Sequence, residues 1–315
     1  MRRRSRHQRR LRIAVRGGAY AALGAAVAAP LLRRRLRLPA PVTAAACYSA
    51  PLALAVLQPR SKKRDVAMFA LQMFAFTVVH ELPFDDPEKL RRRLRSRYPI
   101  VVDRAIGGGG LPNAHLQRLL SRFPRGGPVD RILAWTHWLW FVEPYLALAV
   151  VLARDSDRFP RAARQMAAVF DLGCAGYFAV PTAPPWWSSE QGLTGDEEVR
   201  RVMVEVGEET WGRAWPKMYE TLGGNPWAAM PSLHFATSVQ AAISLSEAGR
   251  REGALGWAYA LTLGFALVYL GEHYVTDLLA GGLLVAAVRR GESAAEPLVQ
   301  GISGALQQLE KLASG

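Results

Sequence analysis

Of 315 residues only two are cysteine, Cys47 and Cys174, and both fall inside apolar segments. They supply no disulfide framework and no cysteine zinc site, and they do not report a redox compartment. The period-two alternation of barrel strands is missing, so substantial β-structure is not expected. No internal repeat is visible. Gly107 to Gly110 are not followed by Lys-Ser or Lys-Thr, so they form a flexible joint and not a phosphate loop. The basic first dozen residues resemble the start of a signal peptide but precede no small-residue cleavage site. They are expected to be a basic tail or the head of a retained first helix.

What the chain has is apolar length broken by clustered charge. Half of its residues are hydrophobic, yet it carries 40 Lys plus Arg against 26 Asp plus Glu, a formal net charge of +14. Apolar segments lie at roughly residues 13–32, 41–57, 66–84, 132–153, 162–180, 229–247, 253–271 and 274–288. Each approaches the length that crosses a bilayer core as a helix. In lipid every backbone group must be satisfied within the span, so the expected fold is all-α, a polytopic membrane helical bundle. Residues 1–65 are expected to form a basic tail with two extra spans. Residues 66–290 make a six-helix core with interfacial amphipathic helices within 85–131 and an external loop at 181–228, and 291–315 make a cytoplasmic tail.

Basic runs at Arg2 to Arg12, Arg33 to Arg37, Arg60 to Arg64 and Arg91 to Arg97 border apolar spans. That placement points to anionic lipid headgroups and away from nucleic acid. Arg154, Arg158, Arg161, Arg250, Arg251, Arg289 and Arg290 fall in short connections or just past the last span, on one side of the membrane. The loop at 181–228 is long and acidic and faces the other way. Residues 181–228 are therefore placed on the extracytoplasmic face, with the plasma membrane as the expected location. Trp186, Trp187, Trp211, Trp215 and Trp227 in that loop suit an interface.

Two strings carry chemistry, Pro231-Ser232-Leu233-His234 and His273-Tyr274-Val275-Thr276-Asp277. Ionisable residues at the ends of membrane helices are costly unless they function. His273 and Asp277 are four apart, so on a helix they share one face, where the carboxylate can hold the imidazole Nδ1 proton and leave Nε2 bare. His234 begins the preceding helix, with Ser232 able to cap it or to bind an anion at its N-terminus. A nucleophile, an anion site and a second histidine able to protonate a leaving group fit phosphoryl transfer through a phosphohistidine. No metal or other cofactor is expected, because no further carboxylate stands near these residues in sequence. Lys217 and Arg213, in the loop before His234, are candidate phosphate-binding cations, and His137, near the external end of its span, is a candidate for lining the headgroup pocket.

At these strings the chain resembles the type 2 phosphatidic acid phosphatase superfamily over roughly residues 130–290. It is closest to the branch containing inositol phosphorylceramide synthase, which the Pro181-Thr182-Ala183-Pro184-Pro185-Trp186 turn also resembles. The resemblance implies His273 as nucleophile, Asp277 as its orienter and His234 as general acid, acting on a membrane lipid with an acceptor alcohol such as an inositol. Two family features are absent. Ala266 and Leu267 stand where a Ser-Arg pair precedes the nucleophile, and no Lys string ending in Arg-Pro occurs. A phosphotransferase is favoured, a lipid phosphate phosphatase is the alternative, and a non-catalytic lipid-binding or transport protein is the second alternative.

Overall fold

The computed structural model describes residues 2–222 and 225–314, of which 2–6, 84 and 219–222 are described by backbone alone. The side chains of Arg2, Arg3, Arg4 and Arg6 in the first basic run thus lie outside the described residues. The chain is all-α, and among the described residues the only extended pairing is isolated bridges of Thr182 with Arg95 and with Ala228. Two compact units are distinguished, residues 1–85 with 289–315, and residues 86–288.

The first unit holds α1 (Arg2–Leu36), α2 (Ala40–Leu57) and α3 (Lys62–Glu81). Pro at the first positions of α2 and the Ser61 side chain accepting from Arg64 N start the second and third of these, as caps of those types should. Small residues dominate the packing, with Ala19, Ala53, Val56 and Ala313 forming one buried cluster. Arg33 and Arg34 both bind the Asp85 carboxylate. Arg64 donates to Gln58 O at 2.9 Å and pairs with Glu310 at 3.4 Å.

The second unit runs through α4 (Pro87–Arg92), α5 (Arg97–Ile106), α6 (Pro112–Leu119), α7 (Pro128–Leu139), α8 (Glu143–Arg154), α9 (Phe159–Ala179), α10 (Pro185–Glu190), α11 (Val202–Trp211), α12 (Trp215–Leu222), α13 (Leu233–Ala248), α14 (Arg250–Tyr269) and the start of α15 (Val275–Ser314). Helix α13 packs on α14, α8 and α9 at its centre. The burial pattern is that of a membrane bundle. Gln165, Thr237, Ser238, Gln240 and Ser244 are buried, while Ile132, Leu146, Leu172, Leu255, Leu261, Leu279 and Leu283 point outward. Apolar side chains facing out and hydrogen-bonded polar ones facing in fit a lipid solvent.

The segments expected to span are largely helical, residues 229–232 lying before the start of α13, but among the described residues only His7–Leu36 and Ala40–Leu57 are long and apolar enough to cross a membrane by those measures alone, with the bent pair of α7 and α8 a third if it is one span. The rest mix polar residues into their inward faces or are short. Helix α13 has 16 residues, about 24 Å at 1.5 Å per residue against a core of about 30 Å. One expected span, 132–153, is not continuous, since α7 and α8 meet at a 58° bend. Pro144 stands at the start of α8. It has no N–H to give the Trp140 carbonyl four residues back, and its ring crowds that carbonyl.

Helix α6, within the stretch 85–131 expected to carry interfacial helices, is tied into the second unit by buried polar side chains. Asn113 donates to Val268 O at 2.7 Å and His273 O at 2.9 Å. Gln117 donates to Tyr269 O at 2.8 Å and Arg200 O at 2.9 Å and accepts from Arg200 N. Together they clamp the turn between α14 and α15 from one side.

Candidate active site

Two helix starts meet at this site. Ser232 caps α13, its hydroxyl accepting from Phe235 N at 3.3 Å, and its own N–H donates to Asp277 O at 3.0 Å in the first turn of α15. Of its two expected roles the hydroxyl takes the capping one. Gly281 makes the close crossing possible, because a Cβ there would stand 2.7 Å from Ser232 O. The second string is shaped from a distance. Asp103 on α5 accepts from Val275 N at 2.8 Å, from Thr276 N at 2.9 Å and from the Thr276 hydroxyl. A buried carboxylate on the first free amides of a helix neutralises its positive end and sets where it begins.

As a result α15 starts at Val275, and His273 lies just before it. The expected pairing of His273 with Asp277 on one helical face is replaced by a pairing across the helix N-terminus. Asp277 Oδ2 accepts from Tyr274 N at 2.9 Å and stands 3.3 Å from His273 Nδ1. Both side chains are buried, and Asp277 Oδ1 has no hydrogen-bond partner among the described residues.

His273 Nε2 stands 3.1 Å from His234 Nδ1. The three groups therefore form a relay of carboxylate, imidazole and imidazole. The His234 ring is wedged between Trp140, at 4.1 Å between centroids, and His137, at 4.8 Å. Trp140 reaches it because of the bend between α7 and α8, and its Nε1 donates to Thr237 Oγ1 at 2.8 Å. His137 is buried, with Nδ1 lacking a hydrogen-bond partner among the described residues. Below them Ser238 donates to His234 O at 2.9 Å and lies 3.4 Å from Glu143 Oε2.

Of the expected site residues, His234, His273, Asp277, Ser232 and His137 converge. Arg213 and Lys217 are exposed, on the turn Gly212–Ala214 and on α12. A different cation, Arg201, stands beside the residue that precedes His273. Its guanidinium carbon lies 3.6 Å from the centre of the Trp186 ring, and its Nε is 3.5 Å from Glu272, the residue before His273. Burial pushes the Glu272 carboxyl above its usual range, with Arg201 and His273 pulling the other way. Around the rim Thr182 N donates to Trp227 O at 3.0 Å, and the Tyr98 hydroxyl meets Thr182 Oγ1 at 2.9 Å. Burial lifts the Tyr98 phenol to about 12.

Comparison with known proteins bears on this geometry. A family model described as PAP2 superfamily matches residues 111–289, a stretch that begins at the clamp of Asn113 and Gln117 and ends just after the second unit. The chain is 24% identical over 262 residues to the inositol phosphorylceramide synthase of Candida albicans (strain SC5314 / ATCC MYA-2876). That similarity covers 79% of this chain and 50% of the relative, so the chain spans about half the length of the curated relative it matches. No solved structure matches the chain.

Proposed function

The chain belongs to the PAP2 superfamily, and from that premise we propose that it is an integral membrane enzyme that moves a phosphoryl or phospho-headgroup from one lipid to an acceptor alcohol through a phosphohistidine on His273. The observation that carries this reading is the relay in which Asp277 faces His273 Nδ1 at 3.3 Å and His234 faces Nε2 at 3.1 Å.

With its Nδ1 proton held toward Asp277, His273 presents the Nε2 lone pair, which at rest accepts the Nδ1 proton of His234. A phosphorus atom has no room in a 3.1 Å gap, so donor lipid takes the place of that hydrogen bond. Nε2 attacks phosphorus, the bond from phosphorus to the leaving oxygen breaks, and His234, protonated on both ring nitrogens when donor binds, gives its Nδ1 proton to that oxygen and is left neutral. In the second step His234 takes the proton of the acceptor hydroxyl, the new oxygen bonds phosphorus, and the bond to Nε2 breaks. Asp277 offsets the positive charge on His273 throughout. Ser232 holds the α13 N-terminus beside the reaction, and His137 lines the pocket next to His234.

Transfer is favoured over hydrolysis because His273 and Asp277 are nearly closed to solvent, which limits competition from water, and because the relative is named for the synthesis of a phosphorylated lipid. The donor is a membrane phospholipid and the acceptor an alcohol such as an inositol or a lipid hydroxyl. The site opens to the extracytoplasmic face of the plasma membrane, within a catalytic region at 66–290, and the basic segments meet anionic lipids.

The test is purified protein with phosphatidic acid and phosphatidylinositol, each with and without added inositol, ceramide or diacylglycerol, alongside His273→Ala. Wild type should consume donor only when an alcohol is present, and the variant should not consume it. Equal turnover by both defeats the enzymatic reading. Consumption by wild type without an alcohol replaces the transferase with a phosphatase.

A further inference from the structure

Arg201 is a partly buried cation held between an aromatic ring and a carboxylate. Its side chain is 20% exposed, its guanidinium carbon lies over the Trp186 ring 3.6 Å from the ring centre, and its Nε is 3.5 Å from Glu272. Stacking on an aromatic face leaves the edge of the guanidinium as its polar side.

The backbone around it is held to the catalytic turn from several directions. Gln117 bridges Arg200 O to Tyr269 O, with the Gln117 carbonyl oxygen accepting from Arg200 N at 2.9 Å. Gly271 adopts φ +80°, and a Cβ there would stand 2.6 Å from Arg200 O, so the two backbones touch where only glycine fits. Trp186 N donates to Gly271 O at 3.1 Å, which ties the stacking partner to the same turn. Two residues after Gly271 comes His273.

Building on the phosphohistidine reading, we propose that Arg201 is the cation that binds the phosphate oxygens of the donor lipid beside His273, with Trp186 as its platform and Glu272 as the carboxylate that holds it until phosphate arrives. The site needs such a cation, because residues 266 and 267 are Ala and Leu and a dianionic or anionic phosphate in a buried pocket requires charge-assisted donors. An arginine can give two parallel hydrogen bonds to one phosphate where a lysine gives a point charge. Glu272 then acts as a competitor, and losing it should strengthen phosphate binding.

The probe is orthovanadate, titrated by vanadium NMR into the full-length protein in detergent, together with KM and kcat for the lipid donor that supports turnover. Arg201→Gln should weaken orthovanadate by about tenfold or more, the scale of a lost hydrogen bond to a charged group, and raise KM for the lipid. Arg201→Lys should fall between, and Glu272→Gln should tighten orthovanadate. Wild-type affinity in both Arg201 variants, or no orthovanadate binding by wild type, overturns the proposal. So does loss of orthovanadate with unchanged lipid KM and kcat, which would assign Arg201 to free phosphate. Should Arg201→Gln fail to fold, Arg201→Lys and Glu272→Gln decide, and unchanged affinity in both overturns it. His273→Ala turning over lipid like wild type would defeat the underlying reading separately, whatever Arg201 does.

Discussion

Asp277 does its work through one oxygen. Oδ2 is shared between Tyr274 N and the His273 ring, so the carboxylate fixes the backbone before α15 and favours one tautomer of His273, the proposed nucleophile. Asp277→Asn keeps the shape and removes the charge that favours the correct tautomer and the imidazolium. Turnover should fall by about 10²–10⁴-fold, the usual worth of positioned acid–base groups, with KM nearly unchanged; a fall in affinity with kcat intact would contradict this. Glu272 makes a separate prediction about stability. Its folded carboxyl titrates above the ordinary 4.5 because of burial. Between the unfolded and folded values the native state holds a proton the unfolded chain has lost, so stability falls as pH rises through that window. Glu272→Gln removes the dependence. Its thermal midpoint should match wild type at pH 4 and exceed it at pH 8, and a gap that shrinks with rising pH would refute the burial argument.

Single long-range caps and close approaches decide how the elements meet. Asp103→Ala strips the α15 start of two backbone acceptor bonds, at a cost of about 1–3 kcal/mol. The melting point should drop and activity with it, since His273 sits immediately before that start. Gly281→Ala forces a methyl to 2.7 Å from Ser232 O; overpacking of this kind costs about 1–3 kcal/mol. It should depress turnover more than a comparable change at Gly282, where a Cβ meets nothing within 4 Å. The helices themselves were legible in the sequence because apolar length is a local signal. The convergence of His234, His273 and Asp277 was legible because ionisable residues at membrane helix ends are rare. The bend between α7 and α8 was signalled by Pro144, although an unbroken apolar run from 132 to 153 hid it. Asp103, Asn113, Gln117 and Arg201 were not legible. The first binds an amide 172 positions away, and Arg201 comes close to the turn before His273 because Gly271 lets the backbone of residue 200 lie against it. Lys217 and Arg213 are near His234 in sequence, and the structure leaves both exposed.

For the whole molecule, an integral membrane protein of this family, the proposed arrangement places residues 181–228 outside and the connection at 249–251 inside. Cys47 and Cys174 are buried, so single cysteines introduced at the exposed positions Gln191 and Arg251 can report sidedness in intact cells. A membrane-impermeant thiol reagent should label Gln191→Cys directly and Arg251→Cys only after permeabilisation; the reverse pattern would invert the topology and move the site to the cytoplasmic face. Every turnover on that face is proposed to pass through one bond between phosphorus and His273 Nε2. The most direct measurement supplies the purified protein with donor lipid labelled at phosphorus, withholds acceptor, quenches in base and maps the label. An acid-labile, base-stable label on His273, absent in His273→Ala and discharged by added alcohol, is the predicted result. A wild-type protein that turns over donor and acceptor without carrying label, or a label that persists in His273→Ala, would contradict it.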